Sequence, residues 1–324
     1  MTKKAKRPSW ATSFLTITRY DLLWNIRKKK ILGVLVLAFA FATLALALPV
    51  ILKNLNNQPI EPNPDYVITT GTGVGSFGFF LFALVSVMNS ISGEFESGSI
   101  VPLLTKPVSR TTIYLGKISA AFLTVLGAYS LLIIYMAAGG YVIYGPQNNL
   151  HLIFITLLGS MMSTLVWMSI VLAAGSVSKS SMLAALLGIG VWFGLNLASG
   201  ILSVFSNQTW IATYAPGNGA SGTFGTPGPI NQINITTGSV STGTDSIATN
   251  LISYILHPTI NVTFYRMEIT GIGQGQGPGG IIQVPLGTEP LSLVVARSIA
   301  VAAVYILVFN LIAWYALKRA QVAE

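Results

Sequence analysis

Six stretches of this chain are each long enough and apolar enough to cross a lipid bilayer, and that feature removes most folds from consideration. They run Ile31 to Leu52, Gly73 to Ser92, Ile118 to Tyr144, His151 to Gly175, Ser181 to Phe205 and Leu291 to Leu317. A spanning helix needs about 20 mostly apolar residues, because at 1.5 Å per residue that covers the roughly 30 Å of hydrocarbon. The runs are continuous rather than alternating, which excludes an outer-membrane barrel. Only 8% of the residues are Asp, Glu, Lys or Arg, about a third of the share in a soluble domain. The expected fold is an all-α polytopic membrane protein with six transmembrane helices.

The few charges set an orientation. With the N-terminus inside, segments 1–30, 93–117, 176–180 and 318–324 face the cytoplasm and hold fifteen of the 18 Lys and Arg residues. The outer segments hold Lys53 and Arg266, and Arg297 lies within the last span. This positive-inside bias places both termini in the cytoplasm of a cell-membrane protein. The formal charge of +9 would point to nucleic acid in a soluble chain. Here the bases flank apolar runs, so the expected partner is membrane lipid and not nucleic acid. The first apolar run is too long for a signal peptide and stays as an anchor. With no cysteine, disulfide, iron–sulfur and thiol chemistry are excluded. His151 and His257 stand far apart without a nearby carboxylate, which is no metal-site spacing.

Residues 206–290 differ in kind. They are rich in Gly, Thr, Ser and Asn, with Asp245, Arg266, Glu268 and Glu289 as their acids and bases. Topology puts this stretch outside, between spans five and six. It also carries all three N-x-[ST] sequons, at Asn207, Asn234 and Asn261, which are glycan acceptors where the machinery exists. Apolar patches at Leu251–Leu256 and Ile281–Val284 indicate a small folded cap rather than a disordered linker.

Motifs for nucleotide chemistry are missing. There is no G-x-x-x-x-G-K-[ST] phosphate loop. Two G-x-G-x-x-G matches begin at Gly73 and Gly275, but neither links a strand to a helix in a βαβ unit. Ser9 to Lys30 has helical periodicity, with Trp10, Phe14, Ile17, Tyr20 or Asp21, and Trp24 along one side. Such a helix would lie in the membrane interface. The loop 93–117 places Glu94 and Glu96 at the inner face, where bases are the rule. A short helix opening near Glu94 suits both acids, because they then sit at its positive end. Pro107 limits that helix, and the result is a compact charged knuckle.

The run Glu94, Glu96, Gly98, Leu103-Leu104, Lys106-Pro107-Val108-Ser109-Arg110 and Lys117 resembles the type-2 ABC transporter permeases. These are membrane subunits of ABC exporters, similar in fold to the eukaryotic G-subfamily half-transporters. The layout is similar along the whole chain: interfacial helix 1–30, spans and coupling loop 31–205, external domain 206–290, and last span with tail 291–324. The resemblance implies that 93–117 meets a separate ATP-binding subunit, with Glu94, Glu96, Arg110 and Lys106 as docking residues. It implies no cofactor on this chain, with ATP and magnesium held by the partner ATPase. It also implies a second permease copy, identical or similar; with no ATP-binding site of its own, the chain is expected not to be an enzyme but part of an ATP-hydrolysing complex. The long external segment departs from the commonest small permeases and leaves the substrate open.

Asn89, Asn196, Asn310 and Arg297 are the polar side chains placed to line a path, since intramembrane polar groups are functional candidates. For Arg297 the competing expectation is snorkelling or pairing with Glu289, and for the asparagines interhelical hydrogen bonds. Gly190-x-x-x-Gly194 permits close helix approach at a dimer contact. Two rivals to the permease reading are an ATP-independent transporter or channel and a non-transporting scaffold that displays 206–290. The topology yields a first prediction. A cysteine replacing Ser239 reacts with an impermeant thiol reagent in intact cells, whereas labelling only after lysis overturns the orientation.

Overall fold

Long runs of Leu, Ile, Val, Phe and Ala without turn signals form helices wherever the backbone must satisfy itself, and the chain forms six helices able to span a membrane. The structure, a computed structural model, describes residues 9–27, 29–100, 108–205, 211–217, 219, 221–226, 235–270 and 280–319. Helix α1 (Trp10–Arg27) is opened by Ser9, whose hydroxyl accepts the Thr12 N–H at 3.2 Å. Helix α2 (Lys29–Leu55) continues through Pro49. A short α3 (Tyr66–Thr70) precedes α4 (Gly75–Val87) and α5 (Ser92–Glu96). Three long helices follow, α6 (Arg110–Tyr144), α7 (Ile153–Ser178) and α8 (Ser181–Phe205).

Helix α7 is the axis of the bundle and packs against α4, α6 and α8. Its Trp167 is fully buried, edge-on to Phe80 of α4 at 5.5 Å. Buried hydroxyls on α7 are satisfied locally: Thr164 donates to the Ser160 carbonyl at 2.9 Å and pairs with the Tyr129 hydroxyl of α6 at 2.7 Å. By contrast, α2 and α8 expose most of their apolar side chains.

Two local features depart from the sequence expectations. The second span is broken. Helix α4 stops at Val87, and a turn through Met88–Ile91 leads into α5. Thirteen residues alone reach only about 20 Å, so α4 needs α5 to complete the crossing. The third span begins early: Ser109 caps α6 by accepting the Thr112 N–H. Residues 110–117 are therefore helix, not loop.

The larger correction concerns residues 206–290, because the chain is not all-α. Strands β1 (Ser221–Thr226), β2 (Ile235–Ser241), β3 (Asn261–Thr270) and β4 (Gly280–Pro290) form an antiparallel sheet of order β2-β1-β3-β4. Helix α9 (Ile247–Leu256) lies between β2 and β3, and α10 (Leu291–Arg319) follows β4 directly. Along β3, Val262 and Phe264 are buried while Asn261 is exposed, the period-two alternation of a one-sided sheet. With Val240 they pack on Tyr214 and on Leu291, Val294 and Val295 of α10. Each such side chain contributes about 1.5–3 kcal/mol on burial. Of the three sequons, Asn261 is exposed at the start of β3, and Asn207 and Asn234 lie outside the described residues.

This cap is seated deeply on the bundle, at the end remote from α1. Ser163 of α7 donates to the Thr244 carbonyl at 2.8 Å, and Ser298 of α10 donates to the Thr242 carbonyl at 3.1 Å. Gly159 is what lets α9 approach α7, since a Cβ there would lie 2.5 Å from the Ala248 Cα. Backbone cannot yield as a flexible side chain does. Gly159→Ala is thus expected to cost about 1–3 kcal/mol, read as a lower Tm of the purified protein. An unchanged Tm would show that the cap is not seated this way.

Candidate functional site

Helix α1 lies against α6 because Gly116 has no side chain. A Cβ there would lie 2.7 Å from the Ile17 Cγ2, and the Thr18 hydroxyl reaches the Gly116 carbonyl at 3.4 Å. One turn further along α1, Asp21 faces the next residue of α6, Lys117. That lysine is only 4% exposed. Its Nζ lies 3.0 Å from Asp21 Oδ2 and 2.5 Å from Glu94 Oε1 on α5. Three elements remote in sequence therefore share one cation.

The buried face of α1 carries Thr18 and Asn25. Trp10, Tyr20 and Trp24 of the aromatic stripe remain exposed. The residues expected along one side are split: Ile17 and Asp21 meet α6, while Trp10, Tyr20 and Trp24 are left exposed.

Helix α5 is held on its other side as well. Glu96 Oε1 accepts the Ser181 N–H at 2.7 Å and the Ser180 hydroxyl at 2.9 Å. A carboxylate at the first turn of α8 satisfies an orphan donor and favours the positive helix end. Between the two glutamates, Phe95 lies under the Lys179 ammonium, 5.5 Å from the ring centre. The short helix is thus clamped to α6 and α1 through Glu94 and to the turn before α8 through Glu96.

Arg110 closes a different contact. Its Nη1 donates to the Leu317 carbonyl at 3.2 Å and the Lys318 carbonyl at 2.6 Å. These are the last carbonyls of α10, where a guanidinium both supplies donors and opposes the dipole. The structure brings Glu94, Glu96 and Arg110 to the same end of the bundle, each already engaged within the chain. Lys106 lies outside the described residues.

Beside Lys117 opens a cleft of about 720 Å³ whose walls include Tyr20, Asp21, Trp24, Glu94 and Glu96. Its lining carries three carboxylates against one ammonium, with two exposed aromatic rings at the rim. Such a surface is complementary to a cationic, partly apolar segment. Asn89, in the turn that breaks the second span, also lines it.

The other intramembrane candidates do not gather there. Asn310 joins helices: its Oδ1 accepts the Tyr114 hydroxyl of α6 at 2.7 Å, while its Nδ2 donates to the Ile306 carbonyl. Asn196 donates to the Trp192 carbonyl at 2.8 Å and abuts Gly217 of the cap. Arg297 pairs with Glu289 at 2.8 Å and lies 6.0 Å from the Tyr214 ring centre. Sequence reasoning gave Asp21 and Lys117 no role of their own. The available signal was a base, Lys117, two turns into the long helical run that starts at Arg110, and an acid one turn beyond Ile17.

With this geometry in place, comparison with known proteins adds one match. The family model described as ABC-2 family transporter protein matches residues 15–322. No curated protein matches the chain.

The ion cluster generates a prediction about stability. Lys117→Met leaves Asp21 and Glu94 facing each other without a cation, at a cost on the order of 3 kcal/mol. Adding Asp21→Asn and Glu94→Gln removes the stranded charges and is expected to recover most of the loss. Thermal unfolding of the single and triple variants checks this; a triple variant no better than the single contradicts it.

Proposed function

The chain belongs to the ABC-2 transporter permease family, and from that premise we propose that it is the membrane subunit of an ATP-driven exporter. Family membership implies an ATP-binding partner. We assign ATP and magnesium to that partner, because the chain has no phosphate loop. Both termini face the cytoplasm in this reading, the cap is extracellular, and α1 lies in the inner interface. Two permease copies form a path between them. The exposed apolar sides of α2 and α8, with Gly190 and Gly194 open to close approach, supply surface for lipid and for the second copy.

The observation that carries the proposal is the sharing of Lys117. The acidic cleft bounded by α1 and α5 receives the ATPase, and Lys117 ties both helices to α6. A push on α5 is therefore delivered to the third span through Glu94 and to the fifth through Glu96. Nucleotide binding tilts these spans as near-rigid units and alternates access, provided the ATPase contacts the cleft differently in its open and closed states. The broken second span permits α5 to shift without bending α4. The cargo crosses a sparsely charged path, which favours substrates with substantial apolar surface.

Reversing both Glu94 and Glu96 to Lys tests the docking surface in the full complex reconstituted with its ATPase. Coupled ATP turnover is expected to fall about tenfold or more, equivalent to 1.4 kcal/mol or more of lost contact. Thermal unfolding of the same preparation separates loss of docking from loss of fold. Glu96→Gln keeps an acceptor for the Ser181 N–H while removing the charge, and is expected to show a smaller loss. Unchanged turnover in a folded double variant refutes the assignment.

A further inference from the structure

Asp21, Glu94 and Glu289 each have a basic partner. Asp245 differs. It is 8% exposed, and no ion pair to it occurs among the described residues. It sits in the turn Thr244–Ser246 just before α9, wedged between α4 and α7. Its Oδ1 accepts the Trp167 indole N–H at 3.0 Å and faces the Thr244 hydroxyl at 3.5 Å. Its Oδ2 accepts the Ser76 hydroxyl, and the Gly217 N–H also points to the carboxylate. These neutral donors orient the group without cancelling its charge.

Next to the carboxylate is a pocket of about 180 Å³ bounded by α3, the start of α4, the first turns of α7 and the start of α9. Three of its hydroxyls have already given their protons elsewhere. Ser76 donates to Asp245, Thr156 to the Ile68 carbonyl at 3.3 Å, and Thr69 to the Asp65 carbonyl at 2.8 Å. A hydroxyl that donates its one proton keeps its lone pairs for another partner. The pocket thus offers acceptor oxygens beside a buried negative charge.

We propose that this pocket is a binding site for a monovalent cation. One carboxylate with neutral oxygens suits a single positive charge, whereas calcium-type sites gather several carboxylates. No group of three or more His, Cys, Asp or Glu able to hold a metal occurs among the described residues. The volume exceeds that of a bare ion and fits an alkali ion with residual water, or a small primary ammonium. Both carry the same charge to the same oxygens. The site lies at the cap junction, so its occupancy would hold the cap on the bundle. It does not depend on the docking assignment above.

Burial pushes the Asp245 carboxyl up to about 6. The sign follows from that direction. A raised carboxyl is comfortable when protonated, so its contribution to stability is full at low pH and is lost as pH rises through about 6. A bound cation would restore that contribution above this range and have little to add below it. The ionisable group of α6 that faces Asp245 is Tyr129.

The test uses the purified full chain in detergent, well above the Asp245 titration and at constant ionic strength. Bulky N-methylglucamine chloride is exchanged for sodium, potassium or methylammonium chloride while Tm is followed. Wild type is expected to gain Tm saturably with at least one of them, and the gain is expected to vanish on acidification. A response to the alkali ions alone identifies a metal ion, and a response to methylammonium alone an organic ammonium. Asp245→Asn is expected to lose the response. Should that variant not fold, Thr156→Val and Ser76→Ala carry the test, with saturation shifted to higher concentration. A wild type indifferent to every cation would mean that hydrogen bonds and helix ends alone hold the carboxylate, and would overturn the proposal. So would variants that respond as wild type does.

Discussion

A lysine ammonium withdrawn from water must find countercharge, and where it finds it decides which parts of a protein stay together. Isolated burial of such a charge costs many kcal/mol, so the arrangement survives only with close partners. Lys117 takes its partners from two directions, Asp21 on α1 and Glu94 on α5. Everything at this end of the molecule follows from that. Gly116 permits the approach of α1, Asp21 arrives one turn after Ile17, and α5 is pulled against α6 despite the break after Val87. Glu96 then fixes α5 to the start of α8.

The opposite end obeys a different rule. There the cap is joined by apolar burial of Val262 and Phe264 on the first turns of α10, and by hydroxyls that reach its backbone carbonyls. Neither set depends on ion pairing. The junction at Lys117 is charged, while the one at the cap rests mainly on apolar packing and neutral hydrogen bonds. Two charged features lie within the latter: the Arg297–Glu289 pair beside Tyr214, and Asp245, held by neutral donors between α4 and α7. A bundle fixed firmly at one end and electrostatically at the other is suited to movement driven from the second.

The six apolar helices and the short helix at Glu94 were legible in the sequence, because spanning length and helix-end electrostatics are local properties. Asn89 and Ser90 mark the break in the second span, but two polar residues inside an apolar run also fit an unbroken helix, so hydropathy alone did not fix the turn. The sheet was missed because β1 and β2 are built largely from Thr, Ser and Gly, whose composition resembles loop. The alternation of Val262 and Phe264 with Asn261 and Thr263, and the apolar patch Ile281–Val284 in β4, were its local signals. The candidate site was half legible. Glu94 and Glu96 stood out as acids on a basic side, but pairing of Lys117 with Asp21 joins residues 96 apart. Arg110, to which the resemblance gave a docking role, donates to the last carbonyls of α10, a contact between residues more than 200 apart. Such contacts are set by helix packing, which no local pattern encodes.

In the proposed coupling, α1, α5 and the Lys117 end of α6 move as one body when the ATPase closes. Spin labels at exposed Thr16 on α1 and Ser97 beside α5 report this directly through their separation in the complete complex. One distance distribution is expected with and without trapped nucleotide, and a broadened one in Lys117→Met. A distance that changes with nucleotide in the otherwise wild-type complex would contradict it.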